Sequence, residues 1–392
     1  MNLFYLGNSC FENNVQQELL DRQLISINAT QKREKYIFFL LFNSKVIQQF
    51  NFVSFGLGYR NGIFRKVTSK NAQYTSTFLG YMGIGKFKYL SGFFTASIFL
   101  LSKVKSGDIL ISYNLQPGYA IAIGILKLFK RVTFIIEFED FFNKTDFRYY
   151  FTSPFERFGM MLADQFIASS VGMQNYLKRK EPKKQCIVHS GYRYLTINNI
   201  NKHKKIDKTI KRSFHQNQSI KILYSGSLTK TRGVLDLIDI FLAKASSQFE
   251  LIITGQGPLK NYVLEKTTTN SNIKYYGLLS DCDYEELLNR VNICVNSQRP
   301  SIKLNFPSKI TEYLSHGKIL MSTKGSSVLK SEFSSLIHFY DYADPVSFWD
   351  VIHNDIISNL STKNMISKSF NNIYDKMDKR LINQLSLISY KT

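Results

Sequence analysis

The sequence predicts an α/β protein built from two doubly wound, Rossmann-like domains. Its 392 residues suit about two to three domains. Short apolar runs alternate with helical patterns in both halves of the chain. Such alternation implies parallel sheets that are covered by helices on both faces. We expect the two domains to face each other across a cleft at the carboxyl ends of their strands, where such folds bind ligands.

The first domain is expected over residues 1–200. Its predicted strands are Asn2–Leu6, Tyr36–Phe42, Asp108–Ser112, Val132–Phe138 and Ala163–Ser169, and its predicted helices are Asn14–Leu24 and Tyr119–Leu128. Residues 201–218 are polar and basic, and they predict a linker between the domains. An arm that binds nucleic acid is the alternative for this stretch.

The second domain is expected over residues 219–365, where the alternation is more regular. Its predicted strands are Ser219–Tyr224, Phe249–Thr254, Ile273–Tyr276, Ile293–Asn296 and Ile319–Ser322, and its predicted helices are Val234–Ala245, Leu259–Lys266, Tyr284–Val291 and Ser308–Ser315. Residues 366–392 predict a helical tail that packs back on the first domain.

The charge balance indicates an anionic partner. The chain carries 51 Lys and Arg against 29 Asp and Glu, a net charge of +22. Lys35–Gly107 holds ten basic residues, no acidic residue and many aromatic rings. Cations attract anionic head groups and aromatic rings settle at a bilayer interface, so this segment predicts contact with an anionic membrane surface. The alternative is that its aromatic residues form a core and its lysines are only solvated.

The expected location is the cytoplasm, with peripheral attachment at the inner face of a membrane. Four scattered cysteines exclude a disulfide scaffold and a cysteine zinc site, which fits a reducing compartment. The N-terminus lacks the pattern of a signal peptide, and the longest apolar stretch, residues 89–101, is shorter than the roughly 20 residues that span a bilayer. No helix-turn-helix, zinc-finger or RNP pattern supports a nucleic-acid partner.

The first chemical motif is residues 224–237, YSGSLTKTRGVLDL. A strand ends in the small residues Ser225, Gly226 and Ser227, and a helix starts after Gly233. Glycine lets a backbone approach a ligand closely, and Arg232 beside a helix start favours an anion. The alternative is a simple strand–turn–helix connection.

The second motif is residues 305–318, NFPSKITEYLSHGK. Pro307 suits a first helical turn, so the helix should begin near Ser308. Ser308 and Lys309 can then serve a phosphate, and Thr311 and Glu312 lie close to the same ligand, where a carboxylate accepts hydrogen bonds from sugar hydroxyls. The alternative is that these residues only begin and end a helix.

In this order the segments GSLTKTRG, FELIITGQGP, IKYYGLLSDCDYEELL and FPSKITEYLSHGK resemble the C-terminal domain of glycosyltransferase family 4 over residues 219–328. A weaker resemblance covers VTFIIEFED, ADQFIASS and CIVHSGY in the first half. The resemblance to this family implies the GT-B fold, a nucleoside-diphosphate sugar as donor, retention of anomeric configuration and no cofactor or metal. The family member we expect acts in bacterial surface-polysaccharide synthesis on a lipid-linked or other glycan acceptor.

Residue by residue, the resemblance assigns Arg232, Lys309 and Glu312 to catalysis. It assigns the donor to Ser225, Gly226, Ser227, Gly255, Gly257, Leu278, Ser308 and Thr311, and the acceptor or sugar side to Glu139, Asp140 and Gly7. Two positions depart from the family pattern: Ser227 stands where an arginine is usual, and Leu304 replaces the first Glu of the Glu-x7-Glu motif that ends at Glu312.

Three alternatives to a transferase stay open. A GT-B sugar-nucleotide epimerase would use the donor site alone, a basic nucleic-acid-binding protein would explain the net charge, and a non-catalytic member would explain Ser227 and Leu304.

Asp281-Cys-Asp283 spells the DxD motif of metal-dependent glycosyltransferases. Because it precedes a helix, we interpret it as a cap in which Asp283 pairs with Glu286.

Overall fold

The computed structural model describes residues 1–7, 29–43, 49–54, 62–70, 74–83, 87–114, 117–139, 147–193, 219–357 and 363–389. The chain forms two compact units. Unit 1 comprises Met1–Tyr192 with Lys376–Thr392, and unit 2 comprises Arg193–Asp375. The predicted linker 201–218, the predicted helix Asn14–Leu24 and the candidate residue Asp140 lie outside the described residues.

Unit 1 is an α/β unit whose elements alternate along most of its length. Its strands are β1 Asn2–Gly7, β2 Gln49–Ser54, β3 Gly62–Phe64, β4 Val67–Lys70, β5 Tyr74–Phe78, β6 Tyr81–Gly83, β7 Ile109–Tyr113, β8 Thr133–Phe138, β9 Gln165–Ala168 and β10 Gln185–Val188. Its helices are α1 Ala29–Asn43, α2 Phe87–Lys103, α3 Pro117–Phe129, α4 Phe147–Leu162 and α5 Val171–Lys180.

Eight strands of unit 1 form one sheet in the order β10-β9-β8-β7-β1-β2-β5-β4. All neighbours are parallel except β4, which runs antiparallel to β5 at the edge. β7 and β8 are buried along their whole length, as expected for central strands covered on both faces. The short strands β3 and β6 form a separate antiparallel pair.

The prediction of a strand over Tyr36–Phe42 is wrong, because these residues belong to helix α1. Tyr36, Ile37, Phe38 and Leu41 are buried, and Leu41 follows Ile37 and Phe38 at the i+4 and i+3 spacing of a helix. A short run of large apolar residues suits a buried helix as well as a buried strand, so periodicity alone could not separate the two.

Aromatic side chains of the acid-free segment Lys35–Gly107 form much of the unit 1 core. The Phe38 ring lies edge-on to Phe50 and Tyr74, with ring centroids 4.9 and 5.0 Å apart, and 5.1 Å from Phe52. The alternative that these aromatics build a core therefore holds for this cluster. Phe94, in contrast, is exposed on α2.

Unit 2 repeats the α/β alternation, close to the predicted bounds. Its strands are β11 Ile220–Ser225, β12 Phe249–Thr254, β13 Ile273–Tyr275, β14 Ile293–Asn296, β15 Ile319–Thr323 and β16 Ile337–Tyr340. Its helices are α6 Val234–Lys244, α7 Lys260–Thr269, α8 Asp281–Arg290, α9 Lys309–Ser315, α10 Ser326–Leu329 and α11 Pro345–Asp350, which continues as a π-helical turn over Val351–Ile356.

The six strands of unit 2 form an all-parallel sheet in the order β13-β12-β11-β14-β15-β16. Trp349 is buried on one side of the sheet, with its ring centroid 4.8 Å from that of Phe249, and its indole N–H donates to the Ile240 carbonyl at 3.1 Å.

The cap of α8 differs from the prediction: Ser280 is the N-cap, and its Oγ accepts from the Asp283 N–H at 3.2 Å. Glu286 instead pairs with Arg290.

The C-terminal helix, α12, covers Lys363–Ser389. Phe370 and Tyr374 stack on Phe333 of unit 2, while residues from Lys376 onward cluster with unit 1. The tail was expected to leave the second domain at residue 366, which is ten residues earlier than the observed boundary at 376. Within the part of the chain that the structure describes, no helix is long and apolar enough to cross a membrane.

Candidate functional site

The carboxyl edge of the unit 2 sheet brings three predicted donor segments together. The Gly226 N–H donates to the Thr254 carbonyl at 3.1 Å, which joins the turns after β11 and β12. The Gly255 N–H donates to the Gly277 carbonyl at 2.7 Å, which joins the turns after β12 and β13. The turns of the GSLTKTRG, GQGP and YYGLL motifs therefore form one continuous rim.

Two glycines of this rim are required by its packing. Gly255 has a φ of +126°, and a Cβ there would overlap the Gly226 carbonyl oxygen. A Cβ on Gly257 would lie 2.5 Å from the Leu228 carbonyl oxygen. A Cβ on Gly226, by contrast, would meet nothing closer than the Tyr224 hydroxyl at 3.5 Å. Space inside the protein therefore does not demand glycine at 226, which favours close approach of a ligand there.

Arg232 is held beside the end of β14. It closes the 3₁₀ turn Lys230–Arg232, and Gly233 follows with a φ of +71°. The Ser297 hydroxyl donates to the Arg232 carbonyl at 2.9 Å, and the Arg232 guanidinium donates to the Gln298 amide oxygen. The guanidinium is thus oriented at the carboxyl edge of the sheet by Gln298, a residue of the loop after β14.

Gln298 was not predicted as part of the site. It is buried, and its carbonyl accepts from the Thr323 hydroxyl at 2.5 Å. The available indication was positional: residues 297–300 come directly after a buried parallel strand, where side chains reach the carboxyl edge.

Lys309 and Glu312 form an ion pair at the start of α9. The Lys309 Nζ lies 2.6 Å from the Glu312 Oε2. The Lys309 side chain is 33% exposed, whereas that of Glu312 is completely buried. Lys309 also lies over the Tyr284 ring, 4.0 Å from its centroid. Lys309 can therefore reach an anion in solvent, while Glu312 faces the protein and neutralises the lysine from below.

The helix α9 stands at the same edge as the rim. The Tyr313 hydroxyl donates to the Ser225 carbonyl, at the end of β11, at 3.4 Å. Thr311 is buried, and its hydroxyl donates to the Ser308 carbonyl at 2.9 Å, so this hydroxyl is engaged within the helix. Ser308 itself makes no side-chain capping bond.

Two further donor candidates lie on the solvent side of the rim. Ser227 is exposed, and Leu278 is 71% exposed, directly after Gly277 with its φ of +66°. Tyr276 beside them is half exposed. An apolar and an aromatic side chain in solvent are a suitable platform for a planar base.

The carboxyl edge of unit 1 holds a buried charge network that includes two candidates of the acceptor side. The Arg33 Nε lies 2.5 Å from Glu137 Oε1 and 3.4 Å from Glu139 Oε1. The Tyr5 hydroxyl donates to the other Glu137 oxygen at 2.6 Å. A Cβ on Gly7 would overlap the Glu34 carboxylate, so glycine at this position makes room for that side chain. Arg33 was not predicted, because it sits in a run of polar residues that carries no pattern.

His189 joins this network to α12. The Arg33 Nη1 lies 2.6 Å from His189 Nδ1, and His189 Nε2 lies 3.0 Å from Asp378 Oδ1. A guanidinium only donates, so Nδ1 accepts, and the ring proton sits on Nε2 and is donated to Asp378. Burial, and then the Arg33 charge, lower the pKa of His189, although Asp378 opposes them. His189 is therefore a neutral structural link between this network and α12.

Comparison with protein families identifies the enzyme class. Residues 219–338, which make up most of unit 2, match the family model described as glycosyl transferases group 1. This chain carries a glycosyltransferase domain. The prediction of a glycosyltransferase enzyme is thereby confirmed at the level of its class. No curated protein matches the sequence.

Solved structures show the same fold at low identity. HepE of Anabaena in complex with UDP has a TM-score of 0.61 and 13% identity, and the match covers 98% of this chain and 100% of that chain. The lipopolysaccharide outer core galactosyltransferase WaaB has a TM-score of 0.61 and 14% identity, and the match covers 100% of both chains. Sucrose-phosphate synthase of Thermosynechococcus elongatus has a TM-score of 0.66 and 11% identity, and the match covers 100% of this chain and 99% of that chain. The predicted GT-B fold, with two Rossmann-like units, is confirmed.

Proposed function

We propose that the chain transfers a sugar from a nucleoside-diphosphate sugar to a lipid-linked glycan acceptor, with retention of configuration, in the synthesis of a surface polysaccharide. One observation carries the donor assignment. Arg232 and Lys309, on different segments, are both placed at the carboxyl edge of the unit 2 sheet, beside a glycine, Gly226, that internal packing does not require. HepE, a structure of the same fold, is described in complex with UDP-glucose, which supports a donor of this class.

The chemistry that these residues would supply is stabilisation of the leaving diphosphate. When the bond between the anomeric carbon and the diphosphate breaks, its electron pair leaves with the phosphate oxygen. Negative charge therefore grows on the diphosphate, and the Arg232 and Lys309 cations would stabilise it. The acceptor oxygen forms the new bond to the anomeric carbon, and its proton passes to the departing diphosphate oxygen. These two cations replace the charge that a metal ion supplies in other transferases, so we propose that no metal is needed.

The remaining candidates would shape the donor and acceptor sides. Leu278 and Tyr276 would hold the base, and the exposed backbone at Gly226 and Ser227 would approach the diphosphate. Glu139 is nearly buried at the carboxyl edge of unit 1, the edge at which sheets of this kind bind ligands, and we propose that it orients an acceptor or sugar hydroxyl.

A titration of the protein with nucleoside diphosphates tests the donor site. We expect one base to give the strongest binding, and Arg232→Met to weaken it about 10–100-fold, the usual effect of one charge-assisted contact. The matched control is Lys244→Met, an exposed cation at the opposite end of α6. Equal affinity of wild type and Arg232→Met would refute the phosphate role.

A turnover assay with the sugar nucleotide that binds then distinguishes the enzymes. Transfer requires an acceptor, so the sugar nucleotide alone should be stable apart from slow hydrolysis. Conversion of the sugar nucleotide without an acceptor would identify an epimerase instead. Tight binding with no conversion in the presence of lipid-linked acceptors would identify a non-catalytic binding protein.

A further inference from the structure

Large apolar side chains are exposed on three helices of unit 1. On α2, Leu90, Phe94 and Ile98 repeat every four residues and therefore share one helix face. On α3, Leu128 and Phe129 are 80% and 77% exposed. On α4, Met161 is 68% exposed. Single exposed apolar residues are ordinary, but a group of this size is not.

The three helices are neighbours, and their C-terminal ends are tied together by lysines. The Lys130 ammonium, at the end of α3, donates to the Leu101 and Val104 carbonyls at 2.6 Å each, which joins α3 to the end of α2. The Lys127 ammonium donates to the Leu162 carbonyl at 2.8 Å, which joins α3 to the end of α4. Ile98, Leu128, Phe129 and Met161 all lie within about one turn of these junctions, and we call them, with Leu90 and Phe94, the three-helix surface.

The rim of the three-helix surface is cationic. Lys103, Lys105, Arg131 and Arg157 are exposed around it. Neither α2 nor α3 contains an acidic residue, and the one acid within α4, Glu156, is buried. Burial also raises the pKa of Glu156 to about 7, which weakens its negative charge at neutral pH. Asp164, just after α4, has a side chain that is 44% exposed, but both of its carboxylate oxygens accept from the Lys127 ammonium at 2.8 Å. Apolar side chains and cations thus occur together, and the exposed carboxylate at this end of α4 is paired with a lysine.

We propose that the three-helix surface docks on an anionic lipid bilayer. Leu128, Phe129, Ile98 and Met161 would enter the interface, and the surrounding cations would contact the lipid phosphates. An anionic bilayer offers both chemistries that this surface can use, an apolar layer and a sheet of negative charge. The proposal extends the proposed function, since a lipid-linked acceptor has to be taken from such a bilayer.

This surface differs from the predicted membrane segment Lys35–Gly107. That segment shares α2 with the three-helix surface, but Leu128, Phe129 and Met161 come from later in the chain. Among the ten basic residues of that segment, Arg65 and Lys66 are exposed, while Lys86 and the side chain of Lys88 lie outside the described residues. The three-helix surface therefore offers a bilayer exposed apolar side chains surrounded by cations, whereas the predicted segment was defined by its charge and its aromatic residues.

Co-sedimentation with lipid vesicles tests the proposal with the full chain. Wild type should bind vesicles of phosphatidylcholine with phosphatidylglycerol more tightly than vesicles of phosphatidylcholine alone, and 1 M salt should weaken the binding. The double variant Leu128→Glu/Phe129→Glu should lower the partition coefficient about tenfold or more, because it places charge where apolar insertion is expected. A second variant, Ile98→Glu/Met161→Glu, should do the same from the neighbouring helices.

The matched control is Met365→Glu, which changes an apolar residue that is 70% exposed in unit 2. It should bind vesicles as wild type does, and circular dichroism should show that all variants keep their melting temperature. The proposal is overturned if wild type fails to bind anionic vesicles, if it binds neutral vesicles equally well, or if both double variants bind like wild type. It is also overturned if sedimentation velocity shows a dimer that the glutamates dissolve while vesicle binding is unchanged.

The outcome is separable from that of the proposed function. Donor binding is measured by titration without lipid, so a failed donor site leaves vesicle binding unaffected. Failed vesicle binding, in turn, leaves donor affinity and transfer to a soluble acceptor unaffected.

Discussion

Replacing Lys309 by Met should destabilise unit 2 and weaken donor binding together. The Lys309 Nζ and Glu312 Oε2 are 2.6 Å apart, and the Glu312 side chain is completely buried. At an effective dielectric constant of about 20, two unit charges at that distance attract each other by about 6 kcal/mol. Much of this attraction offsets the desolvation of the carboxylate, and removal of one partner of a buried pair costs about 3–5 kcal/mol. The one-third exposure of Lys309 puts our expectation at the lower end, about 3 kcal/mol.

Trp349 makes the measurement specific to unit 2. It is the only tryptophan of the chain and is buried in the unit 2 core. Its fluorescence during urea unfolding therefore follows this unit. Lys309→Met should lower the free energy of unfolding by about 3 kcal/mol, because the Glu312 carboxylate stays buried without its lysine. Glu312→Gln should cost less, about 1–2 kcal/mol, since the lysine can turn to solvent. The double variant should lose less than the sum of both changes.

Donor affinity separates the ion pair from the phosphate contact. Lys309→Met and the double variant should bind the nucleoside diphosphate about 10–100-fold more weakly, whereas Glu312→Gln keeps the cation and should stay within a few-fold of wild type. If Lys309→Met binds the diphosphate as well as wild type, the lysine holds only Glu312. If its unfolding free energy is unchanged as well, the argument from the buried pair is refuted.

Three further results are expected. Gly255→Ala should lower the melting temperature of unit 2 and abolish donor binding, because its Cβ would overlap the Gly226 carbonyl oxygen. Gly277 has a smaller positive φ of +66° and open space around an added Cβ, so Gly277→Ala should lower the free energy of unfolding by only about 1–2 kcal/mol. Equal losses in both variants would contradict the packing argument. The pKa of His189 is lowered by burial, so the unfolded chain takes up a proton below about pH 6.5 while the folded chain resists it. Wild type should therefore lose thermal stability between pH 7 and 5 more steeply than His189→Gln, and parallel profiles would rule out this contribution. Transfer should persist in EDTA; loss that manganese reverses would show that a metal is needed after all.

The parts of the fold that the sequence predicted well are those whose information is local. In unit 2 each apolar run is short, ends in a small-residue turn and is followed by a helix. The observed strands therefore begin and end within one residue of the predicted strands Phe249–Thr254, Ile273–Tyr276 and Ile293–Asn296. Because parallel strands all present their carboxyl ends at one edge, a motif that directly follows a predicted strand can be assigned to that edge from its sequence position alone. This reasoning predicts that the segments of Arg232 and Lys309 lie at that edge, where the structure has them.

Contacts between distant residues could not be predicted in the same way. Arg33 meets His189 across 156 positions of sequence, and His189 meets Asp378 across 189. Neither contact follows from a local pattern, because each depends on the order of strands in the sheet and on where the C-terminal helix ends. The same holds for the strand predicted over Tyr36–Phe42: whether an apolar run becomes helix or strand was decided by the surfaces that it covers.

The glycines of unit 2 show how structure sharpens a motif that sequence treats as uniform. Gly226, Gly255 and Gly257 all looked like ligand-binding glycines, since each follows a strand. Gly255 and Gly257 have a sufficient explanation in the overlap that a Cβ would cause with neighbouring backbone, so they need no ligand to account for them. Gly226 has room for a Cβ, and alanine there should leave the folded state nearly unchanged. If Gly226→Ala nevertheless weakens diphosphate binding, the missing side chain serves the ligand. A glycine that packing does not require is therefore the better guide to a binding site than one that it does.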